Sequence, residues 1–299
     1  MLVSLQAPAS SRPLVTVAIA FLDERRFLAA AVETVRNQTG ESWELLLIDD
    51  GSTDGSSELA DDIAMSDPER IFTLRHPCGV NRGLTASRNL AIARARGEFL
   101  CFLDADDLWA EHKLATQLEA FFVHPEAVMV CGPSRHQQLD VVEPGPTVPV
   151  CAGAPRLLRR GQFARMRMRG TLTTPPPSDV MYRVNTLRLV GGVPAGPSVI
   201  EDQRTFIAVS LRGPVFVGDQ PLTIYTVRND SLYGSTRQDD LAQVSTHREF
   251  ERWVAQLARR SGVHGLAVII ALIDRRLRRG ITRRLRAITD GVRRVVESV

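Results

Sequence analysis

The sequence predicts an α/β protein: a mainly parallel, Rossmann-like sheet covered by helices on both faces. Three observations lead there. Apolar runs of strand length alternate with helical spacings from residue 14 to residue 131. Two of those runs end in carboxylates, where open α/β sheets bind ligands. The 299 residues, 44% hydrophobic and 24% charged, suffice for one large core with a smaller appendage. Strands buried on both faces read as unbroken apolar runs, and these do.

Residues 14–20 (LVTVAIA) form the first expected strand, followed by Phe27, Leu28, Ala31, Val32 and Val35 at helical spacing. Residues 43–48 (WELLLI) are the second strand. Asp54-Gly55-Ser56-Ser57 then opens a helix with Leu59, Ala60 and Ile63 inward. A short strand at 71–74 precedes a helix over 84–96, which Gly97 is expected to close. Residues 99–103 (FLCFL) are the second acid-ended strand. Leu114, Leu118, Phe121 and Phe122 mark the next helix, and 127–131 the next strand.

From 132 to 174 the periodicity fades among prolines and a basic stretch, so 133–175 reads as an irregular insertion over the acceptor side of the site. Order returns with a strand at 179–182, a helix over 184–190, the turn Gly191-Gly192, and a helix led by Glu201-Asp202. Strands at 215–217 and 222–227 finish the body.

The net charge of +3 hides an asymmetry. Residues 248–299 hold 13 arginines against 5 acids, a local charge of +8 that leaves −5 for the rest. Ile269, Ile273, Leu277, Ile281, Leu285, Ile288, Val292 and Val295 recur at three-to-four spacing between those arginines. Such a basic amphipathic helix suits peripheral contact with an anionic membrane surface, or packing on the body or on a second subunit. No aromatic residues interleave with the arginines, which argues against nucleic acid. Lys113 is the only lysine, so arginine is the default cation here. Four cysteines without metal-type or disulfide-type spacing are expected to be reduced and mostly buried. The first fifteen residues carry no leader pattern and no apolar run reaches membrane-span length, so the expected location is cytoplasmic.

Two acidic clusters carry the chemistry. In Asp49-Asp50-Gly51-Ser52-Thr53-Asp54, Asp54 suits a helix cap, while Asp50 is placed to accept a base imino proton or a ribose hydroxyl. Asp104-Ala105-Asp106 follows five apolar residues, where carboxylates are costly unless a cation or hydrogen bonds compensate. A hard divalent ion with oxygen ligands, Mg²⁺ or Mn²⁺ bridging a diphosphate, suits that pair. Glu201-Asp202 reads either as a base or as solvated residues favoured in a helix's first turn. No glycine-rich loop follows the first strand, where residues 21–24 are FLDE. That argues against a sugar nucleotidylyltransferase and a dinucleotide-dependent dehydrogenase.

In order and spacing, these motifs resemble the family 2 glycosyltransferases, which have the GT-A fold, over residues 14–232. The residues that carry the resemblance are Gln38-Thr39, Leu47-Ile48-Asp49-Asp50-Gly51-Ser52-Thr53-Asp54, Gly83-Leu84-Thr85-Ala86-Ser87-Arg88-Asn89, Ala95-Arg96-Gly97-Glu98, Leu103-Asp104-Ala105-Asp106-Asp107, Gly191-Gly192, Glu201-Asp202 and Tyr225. The resemblance implies a base-binding role for Asp50 and a nucleotide contact at the backbone of Ala20, with Asp23 and Ser52 on the same donor edge. It implies that Asp104 and Asp106 hold the metal, Asp106 directly and Asp104 nearer the ribose or a water. Arg88 is expected either on the donor phosphates or in a helix-surface ion pair, and Asp202 as the catalytic base.

The implied reaction is inverting, metal-dependent transfer of one sugar from a nucleoside-diphosphate sugar, a UDP-sugar foremost. The acceptor is a hydroxyl of a glycan, a glycolipid or a small molecule, in cell-envelope polysaccharide or glycolipid synthesis. Glycosylation of a secondary metabolite, or a nucleotide-binding module that kept the fold without activity, stays open. The expected organisation is a tail (1–13), a catalytic domain (14–232) and a helical C-terminal region (233–299). The chain departs from the family pattern at Ala20-Phe21-Leu22-Asp23, at Gln203-Arg204, and at Arg228, where the family commonly has histidine. It also lacks the Q-x-x-R-W of processive synthases.

Overall fold

Val15, Val17 and Ile19 of β1 (Val15–Phe21) join the core on one side of a sheet, while Ala18 and Ala20 pack on the other side. That double burial is why the strand reads as one apolar run. The structure is a computed structural model describing residues 13–40, 42–141, 143–194, 200–228 and 240–263.

β2 (Trp43–Asp49), β3 (Ile71–Arg75) and β4 (Phe99–Phe102) complete a parallel group with β1 in the order β3-β2-β1-β4. One face is covered by α1 (Leu28–Arg36), α2 (Ser56–Ser66) and α4 (Lys113–Val123), through Leu28, Val32, Ala60, Leu114 and Phe121. The other is covered by α3 (Leu84–Arg94) through Ala91 and Ile92.

The sheet continues through β10 (Met181–Arg183), β6 (Met129–Cys131), β11 (Val215–Val217) and β9 (Arg156–Leu158). β10 is antiparallel to both β4 and β6, and β9 is antiparallel to β11. A second sheet, in the order β5-β12-β7-β8, is built from β5 (Leu108–Trp109), β7 (Ser134–Gln138), β8 (Thr147–Val148) and β12 (Thr223–Val227). α5 (Gln162–Met168), α6 (Val184–Leu189) and α7 (Glu201–Ser210) complete the body.

Three expectations need correction. The stretch 133–175 is not irregular: it contains β7, β8, β9 and α5, and because the strands are short and β7 and β9 pair with the distant β12 and β11, little local periodicity is left. Phe122 lies on the outer side of α4, 88% exposed. Gly97 does not cap a helix, since α3 ends at Arg94 with Ala95 following. A Cβ at Gly97 would sit 2.6 Å from the Thr16 nitrogen and 2.8 Å from the Phe99 carbonyl oxygen. Its small size therefore serves the close approach of the chain to β1.

Of the C-terminal region, α8 (Asp240–Arg260) buries Phe250, Val254 and Ala258 against Ile207 and Leu211 of α7 and its C-terminal end, and Ala164 and Met168 of α5. The arginine-laced stripe of residues 269–295 lies outside the described residues. No described helix is long and apolar enough to cross a membrane. The cysteines are free, with Cys101, Cys131 and Cys151 buried and Cys78 exposed.

Candidate active site

The carboxyl ends of β1, β2 and β4 lie side by side because these strands are parallel neighbours, and each delivers its acidic loop to the same edge. After β2, Asp49 accepts the backbone N–H of Ser52 at 2.9 Å and of Gly51 at 3.1 Å, and Ser57 Oγ donates to its other oxygen. Burial alone would raise its pKa, yet these donors hold it below the usual value. Asp54 is not the cap expected of it: Gly55 is the N-cap of α2, and Asp54, one residue earlier, accepts the Ser56 N–H at 2.9 Å and the Arg25 N–H at 3.0 Å. Gly51 has φ +94°, and a Cβ there would lie 2.9 Å from the Asn81 nitrogen.

Asp50, 5% exposed, accepts the N–H groups of Arg82 at 2.8 Å and Gly83 at 2.9 Å, one on each oxygen. His76 Nε2 sits 3.5 Å from Asp50 and 3.0 Å from Ser87 Oγ. Asp50 thus ties the 76–83 segment to the β2 edge. Asp23, at φ +55°, accepts the Thr53 N–H at 2.6 Å, and its own N–H donates to Ser52 Oγ at 3.1 Å. Asp23 and Ser52 therefore lock the loop after β1 to the loop after β2, with half-buried Ala20 just before.

After β4, the two metal-expected carboxylates each face an arginine. Arg88 Nη2 donates to Asp104 Oδ1 at 2.8 Å, and Arg228 Nε lies 3.1 Å from Asp106 Oδ2. Burial, with Asp104 adding to it, pushes Asp106 up to about 6 in spite of Arg228. Arg88 is not a surface ion pair. It is 4% exposed, its Nη1 reaches Glu201 Oε1 at 3.1 Å, and its guanidinium lies over the Phe102 ring. Glu201 also accepts from Thr85 Oγ1. α3, the β4 loop and the start of α7 are joined through one cation.

Asp202 follows Glu201 on α7. Burial raises it to about 6, with Arg88 acting in the opposite direction and Asp104 and Glu201 adding to the rise. Burial and the fields of Asp107, Asp104, Asp106 and Asp202 push the Tyr225 phenol up to about 12. Tyr225 thus lies within electrostatic reach of the β4 carboxylates and Asp202.

Several residues of this site carried no sequence signal. Because β10 runs antiparallel to β4, the turn Pro177–Asp179 before it arrives at the carboxyl end of β4. Ser178 Oγ there accepts the Asp104 N–H at 3.0 Å and donates to Asp107 Oδ2 at 2.5 Å. Thr226 N–H donates to Asp107 Oδ1 at 2.8 Å. Trp109 Nε1–H donates to the Ser178 carbonyl at 2.7 Å. Asp107, fully buried, is thus an anchor for the loop, and burial raises its pKa well above the usual range.

Residues 16–184 match the model of "Glycosyl transferase family 2". The chain belongs to glycosyl transferase family 2. Among curated members, one named "Putative teichuronic acid biosynthesis glycosyltransferase TuaG" of Bacillus subtilis (strain 168) is 36% identical over 108 residues, 36% of this chain and 42% of that protein. The glycosyltransferase GlyG of Streptococcus pneumoniae serotype 4 is 34% identical over 104 residues, 34% of this chain and 33% of that one. The matched stretches thus span less than half of these relatives' length. Among solved structures, Staphylococcus aureus TarS 1-349 in complex with UDP-GlcNAc superposes with TM-score 0.64 at 18% identity, covering 81% of this chain and 66% of that one. The mannosyltransferase PcManGT of Pyrobaculum calidifontis, in complex with GDP-Man and Mn²⁺, gives TM-score 0.57 at 18% identity, covering 84% and 65%. These likenesses establish the fold of this family 2 member as GT-A.

Proposed function

We propose that this family 2 protein transfers a single sugar, with inversion, from a nucleoside-diphosphate sugar to an acceptor hydroxyl in the synthesis of a cell-envelope polysaccharide. A UDP-sugar is the foremost donor. The observation that carries the reading is the buried Arg88 guanidinium, which joins Asp104 after β4 at 2.8 Å to Glu201, the residue before Asp202, at 3.1 Å. The envelope setting is supported by the name of the TuaG relative, and a nucleotide-sugar donor by the ligands of the TarS and PcManGT structures.

The donor set suits a divalent ion. Asp104 and Asp106 each have one oxygen paired with an arginine. No third described His, Cys, Asp or Glu joins them. A hard cation such as Mg²⁺ or Mn²⁺ accepts that arrangement, because it takes its other oxygen ligands from phosphate and water. When bound by Asp104 and Asp106, it would neutralise charge on the leaving diphosphate.

In this reading Asp50 and the neighbouring Ala20, Asp23 and Ser52 form the nucleotide edge. Arg88 keeps Asp104 and Glu201 in register. Asp202 takes the acceptor proton as the new glycosidic bond forms and the bond to the diphosphate breaks, the electron pair leaving with the diphosphate. A carboxyl poised near 6 is ionised at neutral pH yet basic enough for this task.

The test is calorimetric titration of the full chain with UDP, GDP and dTDP, with and without Mn²⁺. Metal-dependent binding of one nucleotide, weakened by Asp106→Ala and by Asp50→Ala, is the expected result. Binding of none would overturn the donor-site reading and favour a non-catalytic module.

A further inference from the structure

We propose that Arg228 is a built-in competitor of the divalent cation at Asp106, so that metal enters only by taking this carboxylate from the guanidinium. The inference rests on the metal reading of Asp104 and Asp106 and adds a residue that opposes it.

Arg228 is held from three sides. Its Nη1 and Nη2 donate to the two oxygens of Glu24, each at 2.8 Å, a fork-on-fork pair anchored in the loop after β1. Its guanidinium lies 4.9 Å from the Phe27 ring centroid. Its Nε lies 3.1 Å from Asp106 Oδ2, an ion pair. All three charged side chains are shielded, with exposures of 12% for Arg228, 19% for Glu24 and 17% for Asp106.

The chemistry follows from the residue type. A guanidinium stays protonated and has no lone pair to give, so Arg228 cannot ligate a metal as an imidazole would. It places a fixed positive charge against one of the two carboxylates a cation needs. An entering dication must displace that contact and tolerate the like charge beside it. A diphosphate brings negative charge that offsets both cations. Metal alone should therefore bind weakly and metal with nucleotide strongly, a positive coupling that works equally in both directions.

The experiment measures Mn²⁺ alone, without nucleotide, by the loss of the free-ion electron paramagnetic resonance signal on the full chain. Removing a shielded like charge in Arg228→Met should tighten Mn²⁺ by about tenfold or more. Arg228→Lys, which keeps the charge, should stay near the wild type. Asp106→Asn placed on Arg228→Met should abolish the gain. If Arg228→Met fails to fold because Glu24 is stranded, Glu24→Gln/Arg228→Met carries the same expectation. Unchanged or weaker Mn²⁺ affinity without Arg228, in a protein whose affinity still depends on Asp106, would overturn this inference alone. Affinity indifferent to Asp106 in every background would overturn the metal reading and this inference with it.

Discussion

Arg88 and Asp104 meet at 2.8 Å inside the protein, and the same guanidinium reaches Glu201 at 3.1 Å. Arg88→Met would leave buried Glu201 without its counter-charge. Breaking a buried pair from one side costs roughly 3–5 kcal/mol. Denaturant unfolding should show a loss of that order. Arg88→Met/Glu201→Gln should lose less than the two single losses added together, because the stranded charge is gone. An additive double variant would mean that the two residues do not act as a unit.

As the proposed base, Asp202 is expected to set the acid limb of activity. Its folded pKa is raised to about 6, so the carboxylate needed as a base disappears below that pH. We expect kcat/KM to fall tenfold per pH unit below about 6 and to level off above it. Asp202→Asn should lower kcat by about 10² to 10⁴-fold while nucleotide binding is kept. A variant with wild-type kcat would remove Asp202 from the role.

Asp179 should give stability a measurable pH slope. Burial raises it to about 7, with Lys113, Gly132 and Thr223 acting in the opposite direction. Between about pH 4 and 7 the folded state keeps this proton while the unfolded chain releases it, so its contribution is full below pH 4 and declines as pH rises through 7. Asp179→Asn should therefore gain on the wild type in relative stability as pH increases across that window. Parallel stability curves for the two proteins would contradict it.

Ser178→Ala removes the donor to buried Asp107 Oδ2 and the acceptor of the Asp104 N–H. Leaving buried polar groups unpaired costs about 1–3 kcal/mol. The loss should appear in thermal unfolding, together with weaker metal-dependent nucleotide binding. A loss of stability with unchanged binding would confine Ser178 to a structural role.

Gly97→Ala forces a Cβ to 2.6 Å from backbone that cannot swing aside. Overpacking of this kind costs typically about 1–3 kcal/mol. A neutral substitution would show that β1 can shift.

What the sequence determined alone was the periodic part. β1, β2, β4 and α1 to α3 each bury a continuous run or stripe, and burial on both faces of the strands imprints apolar patterns that survive as local signals. The acidic ends of β2 and β4 were legible for the same reason, since charge directly after an apolar run stands out. The tertiary structure alone decided which carboxylates anchor loops and which are paired with arginines. Asp50, Asp104, Asp106 and Asp107 look alike in the chain, yet Asp107 is taken by Ser178 and Thr226 while Asp104 and Asp106 are paired with arginines. Ser178 comes 74 residues after Asp104, and Glu24 lies 204 residues before Arg228. Local periodicity cannot carry such pairings, because they arise from the antiparallel insertion of β10 and the return of β12 to the edge of β5. The corrections at 133–175, Phe122 and Gly97 have the same origin: strand partners, helix rotation and close backbone approach are set by what arrives from elsewhere in the chain.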